Sequence, residues 1–392
     1  MTSFPDLSGK TVLQVIPDLS AGGAEQSVLE VSAAIIEAGG RALIASQGGR
    51  LEAKICQAGG EILKFKAASK NPFTLYRNIH RLKKIFADFK VDLIHARSRA
   101  PAWSAYYAAR QRRLPFVTTH HGSYSARFYP KKVYNSIMVK GDTVIANSDW
   151  VRGLIETHYD IPAEKIVTIP RGVDLTEFDP AAISSERITA LRQYWGLPND
   201  SSCRIIFLPA RYTSWKGQSL VLQALASLKA QNQHKFHVIM AGDMQGRTQY
   251  FAKLEKMHSD CGLTSLVNMH PHCTDMPAAL KLADIVLAPS LRPEAFGRTA
   301  IEAGAMECPV ITADHGGARE TVLEGRTGLR FTPGCAQSLA IALETLIQMS
   351  PDTRRQMGQA ARTFITQEFS IRRLQKRVLK VYADLLTVQS VS

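Results

Sequence analysis

The 392-residue sequence is informative first for what it lacks. No apolar run approaches the ~18 residues of a membrane-spanning helix. The opening stretch MTSFPDLSGKTVLQVIPDL has no basic segment ahead of a long apolar one, so no signal peptide is expected and the setting is read as cytoplasmic. Six cysteines (Cys56, Cys203, Cys261, Cys273, Cys308, Cys335) are scattered with no C-x-x-C. That argues against a disulfide framework or zinc ribbon and fits a reducing compartment. HPHC (270–273) has no third ligand at zinc spacing, and no D-x-D is present to hold a metal–diphosphate. No metal and no cofactor are therefore expected. The glycines at 22–23 fail the G-x-G-x-x-G pattern, and G-x-x-x-x-G-K-[ST] is absent, which removes the two commonest nucleotide loops. The basic segments lack the interleaved aromatics of a nucleic-acid module, so no nucleic acid partner is expected.

What is present begins with charge. Lys plus Arg exceed Asp plus Glu by 48 − 34 = 14, an excess that suits an acidic partner such as a phosphorylated ligand or an anionic membrane surface. Three basic stretches, RNIHRLKKIFADFK (77–90), RQRR (110–113) and RFYPKK (127–132), lie in the N-terminal half. The first reads as an amphipathic helix with Ile79, Leu82, Ile85, Phe86 and Phe89 inward, and a plain solvated face explains its charges equally well.

Short Val- and Ile-rich runs alternate with longer amphipathic segments. TVLQVI (11–16), RALIAS (41–46), VDLIHA (91–96), PFVTTH (115–120), DTVIANS (142–148) and KIVTIP (165–170) form one set. RIIFLPA (204–210), HVIMAG (237–242), LVNMHP (266–271), DIVLAPS (284–290), CPVITAD (308–314) and TGLRFTP (327–333) form another. Such runs imply buried parallel strands in βαβ units. The length and the two sets of about six strands imply two doubly wound α/β domains. The periodicity lapses near 180–200, which places domains at 1–185 and 196–370, followed by a terminal helix at 371–392. That helix carries Ile371, Leu374, Val378, Val381 and Leu385 on one stripe. Binding loops belong at the C-terminal strand ends, on a cleft between the domains.

Four constellations sit at such ends. RPEAFGRTAIEAGA (292–305) carries Glu294 and Glu302 with seven residues between them. Even on one helix, these would stand about 12 Å apart along the axis and roughly 80° around it, too far for a glycosidase pair flanking one bond at roughly 5–9.5 Å. They suit gripping two parts of an extended polar ligand. Helical character begins near Phe296–Arg298, and the amides of Phe296, Gly297 and Arg298 form an anion seat, with Thr299 a further candidate donor-binding residue. An ordinary helix start with favourable acidic residues fits the same pattern. In PARYTSWKGQSLVLQAL, Arg211 and Lys216 lie on a strand-to-helix loop where two cations can clamp a diphosphate. Gly22 and Gly23 make a glycine-rich loop after the first strand, which a tight turn also explains. His120 and His121 end a strand and point opposite ways, so one imidazole reaches the cleft as a base or hydrogen-bonding group.

Together with GGAE, HHG, IANS, IPRGVDLTEF, RYTSWKG, EAFGRTAIE and HGGARETVLEGRTGLRF, in order and spacing, the chain resembles the retaining glycosyltransferases of family 4, the group 1 glycosyltransferases of the GT-B fold. The resemblance covers roughly residues 10–385. It implies two Rossmann-like domains facing each other across a cleft, with the terminal helix crossing back to the N-terminal one. It assigns Glu294 to donor-sugar hydroxyls, Glu302 to the nucleotide ribose, and Arg211 and Lys216 to the diphosphate with the Phe296–Gly297 amides. His121 then lies by the donor sugar and acceptor, and Gly22–Gly23 near the reaction centre. Two positions depart from the family pattern: Arg171 stands where Asn is usual, and Pro271 where Gly is usual.

The implied activity is retaining, metal-independent transfer from a nucleotide-diphosphate sugar, a co-substrate, to a glycan or lipid-linked acceptor, as in cell-surface polysaccharide or lipopolysaccharide synthesis. The basic N-terminal half adds the expectation of peripheral contact with the anionic inner face of the cell membrane. The alternatives are a nucleotide-sugar epimerase of the same fold and a non-catalytic nucleotide-sugar-binding homologue.

Overall fold

The computed structural model describes residues 4–20, 22–69, 71–122, 124, 129–198, 200, 202–230 and 235–389. Arg127 and Phe128 of the third basic stretch lie outside the described residues. The chain divides into two compact units, Met1–Arg171 with Ile371–Ser392, and Gly172–Ser370.

The first unit is built on a parallel sheet of seven strands: β1 (Thr11–Val15), β2 (Arg41–Ser46), β3 (Glu61–Lys64), β4 (Leu93–Ala96), β5 (Phe116–His120), β6 (Thr143–Ala146) and β7 (Ile166–Thr168). Their order is β3-β2-β1-β4-β5-β6-β7, with Leu13 opposite Leu43 on one side and Ile94 on the other. The order reverses between β1 and β4, which creates a topological switch point at their C-terminal ends. Six of the strands coincide with the apolar runs. β3 is the addition: an edge strand of sequence EILK, only half-buried, so its composition gives little strand signal.

Helices cover both faces. One face buries Leu82 and Phe86 of the first basic helix (Pro72–Asp88) against Leu13, Leu43 and Ile94, with Ile79, Ile85 and Phe89 packed at the margin. The other buries the last helix, Ile371–Gln389, through Leu374, Val378, Leu379, Tyr382 and Leu386 against Leu7, Val31 and Ile35. That apolar area, at roughly 25 cal/mol per Å², is what holds the terminal helix to this unit. The Tyr382 hydroxyl adds a buried hydrogen bond, 2.6 Å, to His95 Nδ1.

The second unit has six parallel strands, β8 (Arg204–Pro209), β9 (Phe236–Ala241), β10 (Val267–His270), β11 (Ile285–Ala288), β12 (Val310–Ala313) and β13 (Gly328–Phe331). Their order β10-β9-β8-β11-β12-β13 puts the switch point between β8 and β11. The domain junction expected at 180–200 lies instead at Arg171–Gly172. The polar segment before β8 is not a linker, because Val173, Phe178 and Trp195 are buried in the second core beside Phe207 and Val286, and Val173 N–H donates to Phe369 O at 2.9 Å. Scattered anchors of this kind leave no periodicity. Among the described residues no helix is long and apolar enough to cross a membrane, and no group of three or more His, Cys, Asp or Glu can hold a metal ion.

Candidate functional site

In the second unit, the loops leaving β8, β11 and β12 are tied into one constellation. Leu291 N–H donates to Trp215 O at 2.7 Å, which joins the first loop to the second. Lys216 Nζ donates to Glu294 Oε1 at 2.6 Å, with both side chains mostly shielded. Ser290 Oγ donates to the same carboxylate oxygen. His315 Nε2 meets Ser290 O at 2.8 Å, and Gly317 N–H donates to Glu294 O at 2.8 Å. Gly317 is required by close approach: a Cβ there would stand 2.4 Å from Ala295 O.

Glu294 precedes the helix Arg298–Ala305, so the two glutamates occupy different elements. Gly297 caps that helix at φ 113°, in the left-handed region that glycine adopts without steric cost, and no side chain caps it. The Phe296 and Gly297 amides make no hydrogen bond among the described residues, which suits an anion at a helix start. The Phe296 ring does not reach this seat. It is 4% exposed and packs edge-on against Phe369 at 5.5 Å, so only its backbone is available. Within the helix, Glu302 accepts from Arg298 Nε at 3.0 Å. Burial raises the Glu302 pKa above its ordinary value, Arg298 opposes that, and Glu177 adds to it. Thr299 is half-buried in the first turn.

Arg211 is not drawn into the Lys216–Glu294 pair. It is exposed, and its Nη1 donates to Gln245 Oε1 at 3.3 Å. A cavity of about 560 Å³ adjoins the loop that carries Lys216, lined by Thr213, Trp215, Arg247 and Tyr250 among others. Ser290 and His315 join the site without having been candidates from the sequence: Ser290 closes the strand run DIVLAPS, and His315 opens the segment HGGARETVLEGRTGLRF.

In the first unit, His121, Gly22 and Gly23 are brought together by a residue that sequence reasoning recorded only as a departure. Arg171 Nη2 donates to His121 Nδ1 at 2.6 Å, and its Nη1 donates to Gly23 O at 2.6 Å. Gly22 caps the helix Gly23–Glu37 in extended backbone with no side-chain cap. His120 points elsewhere, with its ring 4.3 Å from that of Tyr124. Burial, then Arg99, brings the His120 pKa down to about 4. Burial, then Arg171 and Arg97, holds the His121 pKa well below the ordinary value. Beneath them, Arg97 is 2% exposed and donates through Nε and Nη2 to Gln14 Oε1 at 3.1 and 2.6 Å.

Comparison with known proteins finds two family models, one for each half of the chain. Residues 193–364 match the family model described as glycosyl transferases group 1, and residues 21–177 match that of glycosyltransferase family 4. A D-inositol 3-phosphate glycosyltransferase of Corynebacterium aurimucosum is 29% identical over 63% of this chain and 57% of its own. The structure of HepE from Anabaena in complex with UDP-glucose aligns over 95% of this chain and 99% of its own, at TM-score 0.82 and 24% identity. A glycosyltransferase structure from Rickettsia africae aligns over 96% of this chain and 98% of its own, at TM-score 0.89 and 34% identity. Two parallel α/β units, with relatives along nearly the whole length of each, lead to one assignment: this chain belongs to the group 1 glycosyltransferases of family 4.

Proposed function

We propose that the protein is a retaining glycosyltransferase that moves a sugar from a nucleotide-diphosphate donor to a glycan or lipid-linked acceptor without a metal ion. The observation that carries this reading is the Lys216–Glu294–Ser290 cluster beside the uncapped helix start at Gly297. It places a cation, two amide donors and a carboxylate within one unit, the set that a sugar diphosphate requires. Lys216, with Arg211 and the Phe296–Gly297 amides, stabilises the charge that develops on the leaving diphosphate. Preorganised electrostatics of this kind are usually the largest contribution to catalysis. Glu294 holds sugar hydroxyls and Glu302 the ribose. HepE, whose structure contains UDP-glucose, supports a nucleotide sugar as the donor.

The family resemblance implies that the acceptor attacks from the same face and that the departing phosphate oxygen takes its proton, so that no dedicated general base is required. A surface supports membrane delivery of the acceptor. Phe73, Tyr76 and Tyr129 are 72%, 61% and 79% exposed, among the exposed cations Arg77, Arg81, Lys84, Lys131 and Lys132. This points to peripheral contact with an anionic leaflet and to cell-surface polysaccharide or lipopolysaccharide synthesis.

A panel of nucleotide sugars, read first by thermal stabilisation and then by transfer in the presence of a chelator, tests the reading. Stabilisation by one donor and an anomerically retained product are expected. Epimerisation of the donor without acceptor would replace it with the epimerase, and no stabilisation by any donor would replace it with a non-catalytic homologue.

A further inference from the structure

We propose that Arg171 is a positioning residue that fixes the tautomer of His121, making its imidazole a hydrogen-bond donor to a substrate oxygen and not a base. The proposal rests on the transferase reading for its purpose, but its geometry stands apart from that reading. A guanidinium has five N–H donors and no acceptor. Its Nη2 stands 2.6 Å from His121 Nδ1, so Nδ1 must present its lone pair and the ring proton resides on Nε2. Protonating Nδ1 would set two donors face to face.

The guanidinium cannot easily turn away. Arg171 is 6% exposed, and its Nη1 is engaged at 2.6 Å by the carbonyl of Gly23, the first residue of a helix. One side chain therefore links the strand end that carries His121, 50 residues away, with the glycine loop after β1. Among the described residues, Arg97, His95 and His120 also act on the imidazole, the Tyr124 hydroxyl bonds to the His121 backbone, and Glu30 acts on Arg97. His121 Nε2 is shielded and makes no hydrogen bond among the described residues. A buried N–H without a partner is costly, and a ligand hydroxyl or phosphoryl oxygen would satisfy it. Asn, usual here in the family, can either donate or accept and leaves the tautomer open; Arg settles it.

The test is long-range 1H–15N spectroscopy of the full chain labelled at histidine, with His121 identified by its loss in His121→Gln. The wild type should show a neutral ring protonated at Nε2 between about pH 6 and 8. Arg171→Lys, which keeps a donor-only group, should retain that signature, and Arg171→Met should lose it and titrate. In turnover, Arg171→Met should lower kcat about tenfold or more with donor affinity little changed, and Arg171→Lys should recover most of the loss. A His121 protonated at Nδ1 in the wild type, an unchanged spectrum in Arg171→Met, or a lysine variant no better than methionine overturns the proposal. A chain that transfers no sugar but shows the Nε2–H ring defeats the transferase reading and leaves the tautomer assignment standing.

Discussion

Lys216 and Glu294, 78 residues apart in sequence, meet at 2.6 Å with the Ser290 hydroxyl on the same carboxylate oxygen. The pair holds a cation and a hydrogen-bond acceptor in place at the switch point of the second sheet, so neither side chain has to be ordered by the ligand. A charge-assisted contact of this type is worth about 1.5–3 kcal/mol. Lys216→Ala and Glu294→Ala should each reduce transfer by more than about tenfold. Steady-state kinetics with the donor found by the panel provide the measurement, and near-normal turnover in both variants removes this cluster from the mechanism.

Glu302 should trade stability against binding. Its pKa lies above the ordinary 4.5 because burial penalises the carboxylate more than Arg298 compensates. A group whose folded pKa is raised binds more protons folded than unfolded, so its contribution to stability falls as pH rises from about 4.5 through the folded value. Glu302→Gln should therefore keep or raise the Tm at pH 7 and flatten that part of the pH profile. Donor affinity should meanwhile drop about tenfold through loss of the proposed ribose contact. A variant that melts well below the wild type at pH 7 would show that the Arg298 pair outweighs desolvation.

Much of this arrangement could be read from the sequence where the signal was local. The twelve apolar runs became strands because a doubly wound sheet buries both faces and needs no alternation. That Glu294 precedes the helix carrying Glu302 was legible, because the Pro-bearing loop ahead of Phe296 marks where that helix can start. Long-range contacts were not legible. Arg171 reads as a substitution in IPRGVD until the fold carries it to His121 and Gly23. Arg211 and Lys216 look like a pair in RYTSWKG, yet Gln245 and Glu294, each from a distant loop, engage them separately. Phe296 contributes its ring to the core and leaves only its backbone for the proposed anion seat.

The buried histidines should make the fold acid-sensitive. His95, His120 and His121 all have depressed pKa values because burial disfavours the imidazolium, with His120 down to about 4. Each takes up a proton on unfolding below the ordinary 6.5, so stability is fully present above that pH and is lost as pH falls towards 4. Each fully shifted ring contributes about 1.4 kcal/mol per pH unit. Chemical unfolding at several pH values between 7 and 4 should show the wild type losing stability more steeply than His120→Gln, by close to one proton. Parallel slopes would mean that His120 titrates normally in the folded chain.

The proposed membrane contact rests on neighbouring helices of the first unit. The helix Arg99–Arg112 is hydrogen-bonded to the helix Pro72–Asp88 through Ser104 Oγ to Leu75 O at 3.0 Å, and to the helix Tyr129–Ser136 through Trp103 Nε1 to Tyr134 O at 3.2 Å. Phe73, Tyr76 and Tyr129 project from the flanking helices among exposed lysines and arginines. Aromatic rings give apolar insertion, and each cation near an anionic leaflet adds about 1 kcal/mol, screened by salt. The protein should co-sediment with phosphatidylserine vesicles at low ionic strength, more weakly as salt rises, and not with neutral vesicles. Serine at all three aromatic positions should weaken that binding about tenfold or more while leaving transfer to a soluble acceptor intact, because all three are exposed and none belongs to the proposed donor site. Equal binding to neutral and anionic vesicles, or none at low salt, would instead leave the charge excess as a feature of acceptor recognition alone.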